Sequence, residues 1–195
     1  MEASVRLIET EGVGAVSLRR VAREADVSSG APYHHFADRA SLLAAIAVRG
    51  HQLLAQRLAA VAADAAGPVD SLARFIEAYV VFGREHQGHM RVMFRPELFD
   101  PEQHPDALTA GDEAIALLTR TVVACQEAGH APPGDPTPLV TMVWSVAVGI
   151  VTLWIDGPLD VKCTAAGTTV PALTAQISAL VESLLLGYRP TPGSS

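Results

Sequence analysis

Residues 17–36 read S-L-R-R-V-A-R-E-A-D-V-S-S-G-A-P-Y-H-H-F, and no other stretch restricts the chain so much. Ser17 precedes a periodic segment and is a good N-cap, because its hydroxyl accepts from an orphan backbone N–H. Leu18, Val21, Ala22 and Ala25 follow at i, i+3, i+4 and i+7, which marks one buried helical face. Arg19, Arg20 and Arg23 fall off that face into solvent. Asp26-Val27 interrupts the run with a polar residue and an apolar plug. Ser28 and Ser29 offer a second N-cap, Pro32 suits an early helical position, and Tyr33 to Phe36 finish a second helix. Two short helices and a tight turn are the form of a helix-turn-helix reader. In such readers the N-terminal part of the second helix meets base edges while the first helix crosses the backbone.

The candidate DNA contacts follow. Ser28, Ser29 and Gly30 are small enough for the backbone to approach a groove closely, and Pro32 lies beside them. Tyr33, His34 and Arg39 can donate to phosphates, and Ser17, Arg19 and Arg20 lie where the first helix crosses the backbone. His34 is also placed for base readout.

The wider run is Glu11-Gly12, Ser17-Leu18-Arg19-Arg20-Val21-Ala22, Ala25-Asp26-Val27-Ser28, Gly30, Tyr33-His34-His35-Phe36, then Asp38-Arg39-Ala40-Ser41-Leu42-Leu43. Over residues 1 to about 48 it resembles the N-terminal domain of the TetR/AcrR family of regulators. The family's usual string is "slr-vA-eagVs-g-lYrhF-sKe-Ll". Arg39 stands where the family commonly has lysine, which keeps a positive charge. Met1 falls inside the expected first helix, so no basic arm is expected ahead of it unless the native start lies upstream. A second resemblance covers His89-Met90-Arg91-Val92-Met93-Phe94 and Trp144-Ser145-Val146-Ala147-Val148-Gly149. These are similar to the landmarks of the family subgroup named for a W-H-G signature, with Val148 in the histidine place.

The resemblance implies an all-α protein. A three-helix helix-turn-helix domain over 1–48 precedes a larger helical bundle over 49–188 for ligand binding and dimerisation, and 189–195 form a disordered tail. It implies a ligand-responsive transcriptional regulator, most often a repressor. Its expected partners are a palindromic double-stranded operator, a small-molecule effector and a second copy of the chain.

Composition agrees. The chain has 195 residues, 49% of them apolar, with alanine abundant. A chain of this length buries roughly 70% of its unfolded surface. Its formal charge of −7 is unevenly spread: in residues 1–50 six arginines balance six acids, whereas the remainder holds eight basic and fifteen acidic groups. An acidic body turns the arginine-bearing head toward a polyanion. Cys125 and Cys163 have no metal spacing, and reduced buried thiols in a cytoplasmic protein are expected. No basic n-region followed by an apolar h-region opens the sequence, so a secretion signal is not expected. Thr137 to Ile155 is uncharged for long enough to raise a membrane reading. Asp135 and Asp156 flank it without a Lys or Arg cluster, so a buried or interfacial helix is the expectation.

Further helices are expected over Ser41–Ala66, Val69–Gln87, Gly88–Arg95, Asp106–Ala128, Thr137–Asp156 and Val170–Leu186. Pro96–Pro105 reads as a loop, Ala131–Pro138 as a connector and Asp160–Thr169 as a mobile segment. Phe75, Tyr79, Phe82, Met90, Met93, Phe94, Leu118, Val122, Met142, Trp144 and Trp154 are candidates to line an apolar effector pocket. Ala147, Gly149, Val151, Leu173, Ile177, Leu180 and Leu184 suit a two-fold four-helix interface. The rival reading is a helical small-molecule- or metal-binding protein or enzyme without DNA binding. It rests on seven histidines, with His86 and His89 at i, i+3 and Glu85 and His104 nearby in sequence. Gly88 is expected to break the helix between that pair. No catalytic motif appears, and neither a metal nor a cofactor is expected.

Overall fold

The computed structural model describes residues 1–100 and 102–188; the expected tail at 189–195 lies outside them. Among the described residues ten α-helices follow one another and no strand occurs. They are α1 Glu2–Glu11, α2 Leu18–Glu24, α3 Arg39–Ala63, α4 Pro68–Glu85, α5 Gln87–Met93, α6 Pro105–Thr109, α7 Asp112–Glu127, α8 Thr137–Ile155, α9 Pro158–Ala165 and α10 Val170–Leu186. Three 3-10 turns join them, at Val13–Ala15, Ala31–His34 and Pro96–Leu98.

The chain packs as two units. One comprises Met1–Leu53 and His86–Asp112, the other Leu54–Glu85 and Glu113–Ser195. The packing therefore does not follow two consecutive segments: α3 begins in the first unit, its residues from Leu54 count with the second, and residues 86–112 return to the first.

The first unit closes over Leu7 and Ile8 of α1, Val16, Leu18 and Val21, Leu42, Leu43 and Ile46 of α3, then Val92 and Phe99. These positions recur at helical spacing, so one stripe of each helix faces inward. α5 lies close on α1 because residue 88 has no side chain. A Cβ at Gly88 would stand 2.7 Å from Cγ1 of Val5 and 2.9 Å from its carbonyl oxygen. The Gly88 N–H donates instead to Oε1 of Glu9 at 3.1 Å. Gly88 thus sits inside α5, and the break between α4 and α5 falls at His86.

In the second unit α4 is the central helix and packs against both α8 and α10. Leu72, Phe75, Ile76, Tyr79, Val80 and Phe82 are buried along it, with Leu118 and Val122 of α7 and Val143, Ala147 and Val151 of α8. A Cβ at Gly83 would stand 2.5 Å from Cγ1 of Val151, so glycine permits that close approach.

Two expected segments differ. Asp106–Ala128 is two helices, broken at Ala110 and Gly111. Glycine propagates a helix poorly, and its bare Cα faces the His51 ring, which a Cβ there would approach to 3.2 Å. Asp160–Thr169, expected to be mobile, mostly lies in α9. Gly157 turns the chain at φ 91°, Pro158 occupies the first turn and Cys163 is buried. Proline there lacks only an N–H that would have had no helical partner. α8 is the one described helix long and apolar enough to cross a membrane by length and composition; it packs on α4.

Candidate nucleic-acid interface

α2 starts as its sequence dictates: the Ser17 side chain accepts from the Arg20 N–H at 3.3 Å. Leu18, Val21 and Ala22 are buried. Ala25 is exposed, because the helix stops at Glu24. The stop is a Schellman pattern: Val27 N–H donates to the Ala22 carbonyl at 3.0 Å and Asp26 N–H to that of Arg23 at 3.2 Å. Asp26 takes the left-handed position at φ 52°, where glycine is usual but aspartate is tolerated. Val27, expected as an apolar plug, is 49% exposed.

The expected second helix is one 3-10 turn, Ala31–His34. Tyr33 N–H donates to the Gly30 carbonyl at 3.1 Å and His35 N–H to that of Pro32 at 3.0 Å. Pro32 supplies no N–H for a bond back to Ser28, and of the turn's bonds that of Phe36 N–H to the Pro32 carbonyl, at 2.9 Å, is the one of α type. Neither Ser28 nor Ser29 caps the turn; its N-cap is Gly30, without a side-chain bond. Pro32 is buried, so it holds the turn onto the unit rather than facing outward. Ser28, Ser29, Gly30, Tyr33 and His34 are exposed.

A surface hollow of about 290 Å³ draws together Ser17, Leu18, Arg19, Tyr33, Ala37, Asp38 and Arg39. Four of the candidates from the sequence thus share one concavity. Arg19 and Tyr33 are exposed on it, and both carry donors suited to a phosphate oxygen. Arg39 is differently employed. Its Nε donates to the Val16 carbonyl and its Nη2 to the Val13 carbonyl, each at 2.9 Å, which fastens α3 to the turn ahead of α2. Arg20 is also engaged, with Nη2 2.5 Å and 2.6 Å from the two Glu11 carboxylate oxygens. Asp38 was not singled out from the sequence, although its place three residues ahead of Ser41 is an N-cap signal. It accepts from Ser41 N–H and Oγ, both at 2.8 Å, and the backbone bond chiefly holds its carboxyl below the usual range.

The residues expected to line one pocket divide between the units. Met90, Met93 and Phe94 belong to the first. There the His51 ring meets Phe94 edge-on at 5.3 Å, and its Nε2 lies 3.1 Å from the Met93 carbonyl. A carbonyl only accepts, so Nε2 carries the proton and the buried Nδ1 is left without a partner. Burial lowers the His51 pKa, and likewise that of His89. Phe75, Tyr79, Phe82, Leu118 and Val122 are buried in the second unit, with Trp144 half-buried. Burial pushes the Tyr79 hydroxyl pKa upward, opposed by the Trp144 indole. Met142 is 48% exposed and lines no interior. His86 and His89 pair edge-on at 5.8 Å. Among the described residues no three of His, Cys, Asp and Glu are grouped to hold a metal.

No curated protein matches the chain. A solved protein of unknown function from Rhodococcus sp. RHA1 is 30% identical, with a TM-score of 0.79 over 93% of this chain and 90% of that one. A regulatory protein in the tetR family from Rhodococcus RHA1 is 21% identical, TM-score 0.76, covering 94% and 93%. The transcriptional regulator FadR of Bacillus subtilis, solved with stearoyl-CoA, shares the fold at 16% identity and TM-score 0.75, covering 96% and 97%. Residues 1–46 match the family described as bacterial regulatory proteins, tetR family, and residues 72–181 match the tetracyclin repressor-like C-terminal domain. The chain therefore belongs to the TetR family of DNA-binding transcriptional regulators.

Proposed function

We propose that this chain is a ligand-responsive repressor. As a homodimer in the cytoplasm it holds a palindromic operator and releases it when a small apolar or amphipathic molecule binds the second unit. The observation that carries the reading is the hollow shared by Ser17, Arg19, Tyr33 and Arg39 beside the exposed Ser28, Ser29, Gly30 and His34. Arg19 and Tyr33 take phosphates, His34 and the two serines approach base edges, and Arg39 holds the α2 entry in place. Dimerisation is supported by the apolar surface on α8 and α10. Leu153, Leu180 and Leu184 are 50%, 59% and 65% exposed, and a second copy covering them would remove that apolar surface from water. Ligand response is supported by the match to the tetracyclin repressor-like domain and by the ligand in the FadR relative.

Selection of bound DNA from random sequence tests the reading. A palindrome with half-sites about 34–36 Å apart is expected. Log affinity should fall linearly with log salt, with a slope of about −0.9 per neutralised phosphate. Tyr33→Phe and Arg19→Ala should weaken all sequences alike, and His34→Ala should alter base preference. Failure to enrich any sequence would overturn the proposal.

A further inference from the structure

The arginines around the reader differ in how their charge is engaged. Arg39 directs its fork at the Val13 and Val16 carbonyls, and Arg6 approaches Glu24 at 3.7 Å. Arg20 is held most closely: its Nη2 lies 2.5 Å and 2.6 Å from the two carboxylate oxygens of Glu11. Arg19 and Arg23 are exposed and form no ion pair among the described residues. Arg20 stands in the first turn of α2, where its N–H donates to the Ser17 hydroxyl, next in sequence to Arg19 on the hollow. Glu11 is the last residue of α1, and no basic residue shares that final turn. An acid at a helix C-terminus opposes the helix dipole, so the stability of α1 does not account for Glu11. Its partner is Arg20, on the helix that the reader turns toward DNA.

We infer that Glu11 withholds Arg20 from the DNA backbone and so limits the affinity of the reader for any duplex. The inference rests on α2 lying along a phosphate backbone, as proposed above, and adds the residue that sets the charge of that helix. The guanidinium and carboxylate cancel, so a phosphate beside the pair releases no counterion. A phosphate that took Arg20 would also approach the Glu11 carboxylate, and like charges repel. Without that carboxylate the guanidinium has a planar set of N–H donors matched to phosphate oxygens. Both side chains are partly open to water, at 37% and 41%, so Arg20 turns to a phosphate without disturbing the core. Phosphate contacts carry no sequence information. Glu11 therefore sets how tightly all DNA is held and leaves the preferred sequence unchanged.

The test uses the full chain, a short duplex of mixed sequence and the operator selected from random DNA. Affinity is read by fluorescence anisotropy across a salt series, in the unaltered chain, in Glu11→Gln, and in Glu11→Gln with Arg20→Gln. Glutamine keeps the shape of both side chains and relieves the acid at the end of α1, and thermal midpoints check the fold. In Glu11→Gln the slope of log affinity against log salt should steepen by about 0.9 per protomer on either DNA. At about 0.1 M salt that is a gain of about eightfold per protomer. The double variant should return to the slope of the unaltered chain. Ethylation of single operator phosphates should reveal one further sensitive position per half-site in Glu11→Gln and none in the double variant. The inference falls if Glu11→Gln leaves the slope unchanged. It falls if the double variant is shallower than the unaltered chain by about 0.9 per protomer, because Arg20 then already meets a phosphate beside Glu11. It falls too if the slope steepens with no new sensitive phosphate, because the charge then acts at a distance. Weaker binding by Glu11→Gln together with a lower thermal midpoint would replace it with a positioning role for the pair. A chain that binds DNA but shows none of the expected changes overturns this inference alone, whereas a chain that binds no duplex in any variant overturns the regulatory reading as well.

Discussion

Replacing Arg39 separates holding the reader from touching DNA. Its fork makes two charged hydrogen bonds, both 2.9 Å, to the carbonyls of Val16 and Val13. Val16 is buried and Val13 half-buried, so water replaces one acceptor's partner more readily than the other's. Hydrogen bonds to charged groups contribute about 1.5–3 kcal/mol each. Allowing for partial solvation at Val13, Arg39→Met should cost about 2–4 kcal/mol of stability. Lysine, which the family resemblance expects here, has a single ammonium and cannot reproduce both arms of the fork. Arg39→Lys should therefore recover about half the loss. Urea denaturation of the full chain reads the stability, and operator binding across a salt series reads the phosphate count. A tether lowers the urea midpoint in Arg39→Met. A pure phosphate donor leaves the midpoint alone and reduces the salt slope by about 0.9. An unchanged midpoint with a reduced slope would refute the reasoning.

Other outcomes follow from the same packing. Leu180→Asp with Leu184→Asp should yield monomers by sedimentation, because a buried interface cannot hold unpaired carboxylates; a persistent dimer would move the interface elsewhere. Gly83→Ala should destabilise by up to about 2 kcal/mol, since overpacking costs about 1–3 and alanine's better helix propensity returns about 1. Val151→Ala in the same chain should remove the clash, visible as a non-additive thermal shift. Stability should also fall on mild acidification. Burial lowers the pKa of His51 and His89 in the folded chain, so below about pH 6.5 the unfolded chain binds protons that the folded one resists. The loss grows as pH drops from there toward the depressed folded values, and His51→Phe should reduce that slope; an unchanged slope would mean that His51 titrates normally.

The helical character, the α2 cap and the exact span of α10 were legible in the sequence, because Ser17, Val170 and Leu186 sit where local rules alone decide. The shape of the reader was not. Whether Ser28–Phe36 forms an α-helix or a 3-10 turn depends on how Gly30 and the N–H-less Pro32 add together, and residue spacing does not report that sum. Arg39 showed its charge but not its acceptors, since Val13 and Val16 lie more than twenty residues earlier in the chain. That Met90, Met93 and Phe94 count with the first unit although they follow α4 directly was not legible either, because the break at His86 is a matter of packing that chain order does not report.

Gly88 also bears on how a genetic screen of this regulator would read. With Val5 at 2.7 Å from any added Cβ and a backbone oxygen at 2.9 Å, this position excludes every other residue unless α1 moves. Random missense changes would therefore score there as loss of regulation, as they would at the proposed phosphate donors Tyr33 and Arg19, although residue 88 lies far along the chain from the reader. The two classes separate by dose. Overproduction restores partial function to a protein that folds poorly and gains little for one that folds well but has lost its phosphate donors. A screen run at a single expression level would merge them, and the interface drawn from it would take in Gly88, whose constraint is its close packing on α1.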